Sequence, residues 1–109
     1  MSWARRLEEA YLAGELPPRA RQAWERLAWA LDVEPWELGG TLARLGLPQA
    51  GWILEVARVG WRRGLTPPGA GVLAQEGLVD LETRRLTKKG WAVLGLLEEL
   101  YRYAEAVGR

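Results

Sequence analysis

The sequence predicts a mainly α-helical fold carrying one small β-hairpin, and three observations support that. Apolar residues recur every three to four positions through most of the 109 residues, which is the spacing of one buried helix face. Between Leu78 and Leu86 the pattern changes to two short extended runs around a charged tip, Asp80 to Arg85. After Thr87 the helical period resumes and holds to Val107 with no proline; at about 1.5 Å per residue this makes a helix about 30 Å long. A helix of that length needs something to pack on.

The elements follow in order. Ser2 to Ala13 places Trp3, Leu7, Ala10 and Tyr11 on one face of a short amphipathic helix. Gly14 and the pair Pro17–Pro18 interrupt it. A second helix, from Pro18 or Arg19 to Leu31, has Ala20, Ala23/Trp24, Leu27 and Ala30/Leu31 as its buried stripe, and Asp32 ends it. Glu34-Pro35 opens a third helix, Pro35 to Leu45, because proline loses no hydrogen bond at the first helical position. Ala28 and Leu31 then face Leu38 and Leu42, while Trp36, Glu37, Gly39 and Gly40 turn outward. Pro48 to Arg63 is the next helix, with Ala50, Ile53, Leu54, Ala57 and Trp61 inward. Thr66 caps a further helix that starts at Pro67 and Pro68, turns Ala70, Leu73 and Ala74 inward and stops at Gly77. Finally Thr87 caps the long helix 88–107, whose apolar positions are Val93, Leu96/Leu97, Leu100, Tyr103/Ala104 and Val107.

A chain of this size forms one domain, 1–109, made of an N-terminal helical part (1–47), a central part with the hairpin (48–87) and the C-terminal helix (88–107). With 15 basic and 14 acidic side chains the net charge is +1, so there is no overall excess to hold a polyanion. The excess is local: residues 51–109 carry nine basic and seven acidic residues, concentrated at Arg62/Arg63 and at Arg84/Arg85 with Lys88/Lys89. Cysteine and histidine are absent, which removes thiolate chemistry, the commonest metal ligand and the usual acid/base residue near neutral pH. No enzyme activity, cofactor or metal is expected. No stretch approaches the length of an apolar membrane span, and the N-terminus carries acidic residues, Glu8 and Glu9, where a signal peptide would place its apolar run, so the expected location is cytoplasmic. Thirteen Arg against two Lys, with no Asn, suggest a high-GC or thermophilic source.

Seven Trp and no Phe make tryptophan the main aromatic volume. Trp24, Trp61 and Trp91 fall on apolar stripes and are expected in the core, whereas Trp3, Trp29, Trp36 and Trp52 are candidates for an interface with another protein. The C-terminal helix is apolar over more than one stripe. One stripe covers its own chain, and the other, with Leu96, Leu100, Tyr103 and Val107, is the expected two-fold homodimer contact.

Two segments resemble known families. LAWALDVEPWELGGTL, residues 27–42, resembles the tight helix-turn-helix of the phage-repressor type, with Ala28, Asp32 and Leu38 at its small, turn and apolar positions. LAQEGLVDLETRRLTKKGWAVLGLL resembles the part of MarR-type regulators that runs through L-x-x-x-G-L-V, here Leu73, Gly77, Leu78 and Val79, to L-T-x-x-G, here Leu86, Thr87 and Gly90. The second resemblance covers less than half of the chain. It implies a winged helix-turn-helix: a supporting helix at 50–62, a recognition helix at 67–76, a wing at 78–87 and a long C-terminal helix, with residues 1–47 as a helical extension. It further implies a homodimer on palindromic duplex DNA. Carried over by residue, Arg84 or Arg85 of the wing would approach phosphates or the minor groove. Arg62, Arg63, Lys88 and Lys89 would hold flanking phosphates, and Thr66 could bond another. Gln75 would be the one side chain able to grip adenine, beside Val72 for a thymine methyl, and no arginine would reach guanine.

Two functional readings follow. The first is a small DNA-binding transcriptional regulator. The second is a winged-helix interaction module that docks through exposed Trp residues within a replication, transcription or phage-assembly complex. Salt separates them, since phosphate contacts weaken steeply with ionic strength.

Overall fold

The computed structural model describes residues 3–47 and 69–107. Helix α1 (Trp3–Leu12) is followed by α2 (Pro18–Ala30), a 3₁₀ turn (Pro35–Glu37) that runs into α3 (Leu38–Arg44), then α4 (Ala70–Gln75), the two-stranded antiparallel hairpin of β1 (Val79–Asp80) and β2 (Arg85–Leu86), and α5 (Lys88–Val107). The helix predicted at 48–63, with Arg62, Arg63, Trp52 and Trp61, lies outside the described residues, as does Thr66. The architecture is the predicted one: helices at both ends, a small hairpin between them, and a long C-terminal helix. Only the third helix differs in kind, because its first turn, Pro35–Glu37, is wound more tightly.

Four helices end in the same way. After α4, the Gly77 N–H donates to the Ala74 carbonyl (3.0 Å) and the Leu78 N–H to the Leu73 carbonyl (2.9 Å), with Gly77 at φ 75°. This is a Schellman motif, in which a left-handed residue turns the chain back and Leu78 packs on Leu73. Gly14 and Gly46 close α1 and α3 with the same bond pairs. At the end of α2 the left-handed position is held by Asp32, at φ 57°. Asp reaches this region more readily than most residues but less readily than Gly, and a carboxylate is unfavourable at the negative end of a helix. Asp32→Gly should therefore stabilise the fold by about 0.5–1 kcal/mol. A urea midpoint that rises with an unchanged slope would show this, and a lower midpoint would contradict it.

A continuous apolar cluster runs from Ala4 and Leu7 of α1, through Trp24, Leu27 and Ala28 of α2 and Leu38 and Leu42 of α3, to Leu73, Leu78, Val79 and the inner face of α5. The main partner of α5 is α2, while α1 packs on α3 and reaches α5 through an edge-to-face contact of Trp3 with Tyr101 (centroids 5.9 Å apart). Among the described residues, ion pairs tie the periphery: Arg19 with Glu99 at 2.6 Å, and Arg44 with Glu76 at 3.7 Å, which links α3 to α4.

Two expectations on burial need correction. Gly39, expected to face outward, is buried beneath α1: Glu8 accepts its N–H at 3.0 Å, and a Cβ there would meet the Glu8 carboxyl carbon at 2.9 Å. The carboxylate thereby caps the positive end of α3, which packs beneath the N-terminal helix. Trp91, expected in the core, is 55% exposed.

Candidate nucleic-acid interface

The hairpin is short because its turn is made by its own side chains. Val79 pairs with Leu86 and Asp80 with Arg85, and one carboxylate oxygen of Asp80 accepts the N–H groups of Glu82 (2.9 Å) and Thr83 (3.2 Å). Asp is suited to such a turn since its oxygen stands in for a backbone carbonyl. Arg84 completes the return at φ 57°, a left-handed position for a long charged side chain. The inner faces of the strands, Val79 and Leu86, pack on the core, and the tip from Leu81 to Arg85 is exposed.

The wing is joined to α5 by a hydrogen-bonded knot around Thr87. Its hydroxyl accepts the Gly90 N–H (3.0 Å), which caps the helix, and donates to the Gly77 carbonyl (2.5 Å), while its own N–H donates to the Leu78 carbonyl (3.1 Å). Gly90 lies so close to the backbone just before β1 that a Cβ on it would stand 2.0 Å from the Leu78 carbonyl oxygen. Lys89 reaches back to donate to the Glu76 carbonyl (3.0 Å) at the end of α4. Leu73, Gly77, Leu78, Leu86, Thr87 and Gly90 therefore have a mechanical reason to occur together: they lock helix, hairpin and helix at fixed angles. The capping role of Thr87 was legible in the sequence; the contact that requires Gly90 was not.

The charges converge here. From Asp80 to Lys89 the chain carries four basic and two acidic side chains. Arg84, Arg85, Lys88 and Lys89 are all exposed, and among the described residues none of them forms an ion pair. Lys88 and Lys89 occupy the first turn of α5, which holds no acidic residue, although the positive end of a helix favours carboxylates. Gln75 and Val72 are exposed on α4, but that helix spans only Ala70–Gln75 and starts after a left-handed Gly69, later than expected.

Of the expected dimer contact, Leu100 is internal. Leu100 is 0% exposed in the core of its own chain, and Leu96 and Tyr103 are half-buried against that core. Leu100 thus offers no surface to a second copy, because α2 covers the stripe on which it lies. The side chain of Val107 lies outside the described residues. Elsewhere Tyr11 donates to Glu25 (3.3 Å), and its phenol pKa is raised above the ordinary tyrosine range, first by burial and then by the Glu25 carboxylate.

The helix Ala70–Gln75, the hairpin and the long helix behind it define a mainly helical, winged-helix-like architecture. The chain matches no protein family, no curated protein and no solved structure, so this class rests on the architecture itself. Among the described residues no helix is long and apolar enough to cross a membrane.

Proposed function

We propose that the chain binds duplex DNA through the wing and the first turn of α5, as a small DNA-binding regulator with no catalytic activity of its own. The observation that carries this reading is the set of cations that form no ion pair among the described residues and stand where local stability does not favour them: Arg84 in a left-handed turn position, and Lys88 at the positive end of a 20-residue helix. Such placement favours an anion from outside the chain. Arg84 and Arg85 on the exposed tip would enter the minor groove or straddle its phosphates, and Lys88, with Lys89 beside it, would hold the backbone next to them. Arg62, Arg63 and Thr66 would extend the phosphate contacts along the preceding segment. Gln75 and Val72 give α4 little base readout, so the binding would depend mainly on backbone and groove shape.

The test is fluorescence anisotropy with a mixed-sequence duplex over a range of salt. Binding should weaken steeply with salt, and Arg84→Ala with Arg85→Ala should flatten the log–log slope by about 2. Arg84→Gly, which relaxes the backbone and removes the same charge, should weaken binding while leaving the hairpin intact. No binding to duplex even at low salt would sink the proposal.

The homodimer belongs to the same proposal in reduced form. With Leu100 internal, Leu96 and Tyr103 are the described side chains of the named contact that keep some exposure, and the single chain is the proposed binding unit. Sedimentation at tens of micromolar should give the monomer mass of 12.2 kDa. A species of twice that mass would restore the two-fold arrangement. The protein-docking reading has an observation of its own, the exposure of Trp29, and it leads to a different surface.

A further inference from the structure

The end of α2 and the 3₁₀ turn enclose an open groove of about 370 Å³ whose charged lining is entirely acidic: Glu25, Asp32, Glu34 and Glu37. Val33 lies half-buried in its lining, and Trp29, also lining the groove, is 86% exposed. The next residue after Pro35, Trp36, is 56% exposed. Among the described residues Asp32, Glu34 and Glu37 form no ion pair, and Glu25 is engaged only by the Tyr11 hydroxyl. Nor do these carboxylates converge as metal ligands, since no group of three or more such side chains among the described residues could hold an ion.

We propose that this groove docks an arginine-bearing segment of a partner protein. Charge complementarity selects the occupant: unpaired carboxylates repel nucleic acid and attract a guanidinium, and an exposed indole beside them offers a flat face on which a guanidinium stacks. The groove also keeps a charge that local stability does not favour, for Asp32 stands at a left-handed position that three other helix ends give to Gly. This surface is formed by residues 25–37 and uses none of the wing residues, so it stands or falls independently of DNA binding.

The test titrates a fluorescein-labelled peptide of alternating Arg and Gly into the full chain at about 0.15 M salt, where long-range attraction is screened. The triple variant Asp32→Asn, Glu34→Gln, Glu37→Gln should weaken binding by about tenfold, and Trp29→Ala by about threefold. Asn tolerates the left-handed position and Trp29 is almost fully exposed, so both variants should fold, as circular dichroism would verify. A control with the same charge change at the exposed Glu9, Glu15 and Glu105, each to Gln, should alter binding less than about twofold. The proposal is overturned if the wild-type chain does not bind the peptide, if the control loses as much as the groove variant, or if Trp29→Ala has no effect.

Discussion

Gly90→Ala should be among the most damaging single substitutions in this chain, lowering stability by about 2–4 kcal/mol and the melting temperature by about 10–15 °C. The atom in the way is the Leu78 carbonyl oxygen, 2.0 Å from where the new Cβ would stand, with the Leu86 Cβ at 3.3 Å on another side. A backbone oxygen cannot rotate aside as a side chain can. Relief would require α5 to move off the hairpin, which would break the Thr87 N–H bond to Leu78 and the hydroxyl bond to Gly77. Gly95 in the same helix provides the matched comparison, since a Cβ there would meet nothing within 4 Å. Gly95→Ala should gain about 0.5–1 kcal/mol from helix propensity alone. Thermal melts of the two variants should move in opposite directions, and a Gly90→Ala protein as stable as the parent would refute the close contact.

Trp24→Ala should cost about 3–5 kcal/mol, a large part of the stability of a domain this size. Trp24 is fully buried between α1 and the 3₁₀ turn, beside the Tyr11 ring (centroids 6.3 Å apart), and its indole N–H donates to the Pro35 carbonyl at 2.8 Å. Trp24→Phe separates the two contributions: it keeps most of the apolar volume but leaves that carbonyl without its partner, at a cost of about 1–3 kcal/mol. Urea titration of both variants should give lowered midpoints in that order. Equal loss in both would mean that the hydrogen bond, and not the ring volume, anchors the turn.

Both proposed surfaces share a physical signature. Lys88 and Lys89 sit at a positive helix end, Asp32 at a negative one, and Asp32 and Arg84 both occupy left-handed positions. Each is locally unfavourable by some tenths of a kcal/mol or more. Conflict between local preference and the residue present is expected where a protein meets its ligand.

Most of the fold was legible in the residues. The helix period, the Thr87 cap, the glycines that follow α1, α3 and α4, and the left-handed tolerance of Asp32 are short-range properties, and the elements form where those signals fall. Part of the candidate site was legible too, because Arg84, Arg85, Lys88 and Lys89 cluster along the chain. Errors arose where exposure depends on a neighbour far away in sequence. Trp91 lies at the edge of an apolar stripe, yet the inward position at the start of α5 goes to Gly90, since the Leu78 backbone just before β1 comes within contact distance there and only a residue without a side chain fits. Trp91 is turned out by one helical step.

The same distinction decides the long helix from Lys88 to Val107. Its start, its end and its surplus of apolar residues follow from local order, because capping and periodicity act within a few residues. Which stripe is covered was decided by α2, which lies along α5 and takes Leu100 into the core, and by Trp3, which closes on Tyr101. Burial is a property of two surfaces meeting, and a single helix carries only one of them.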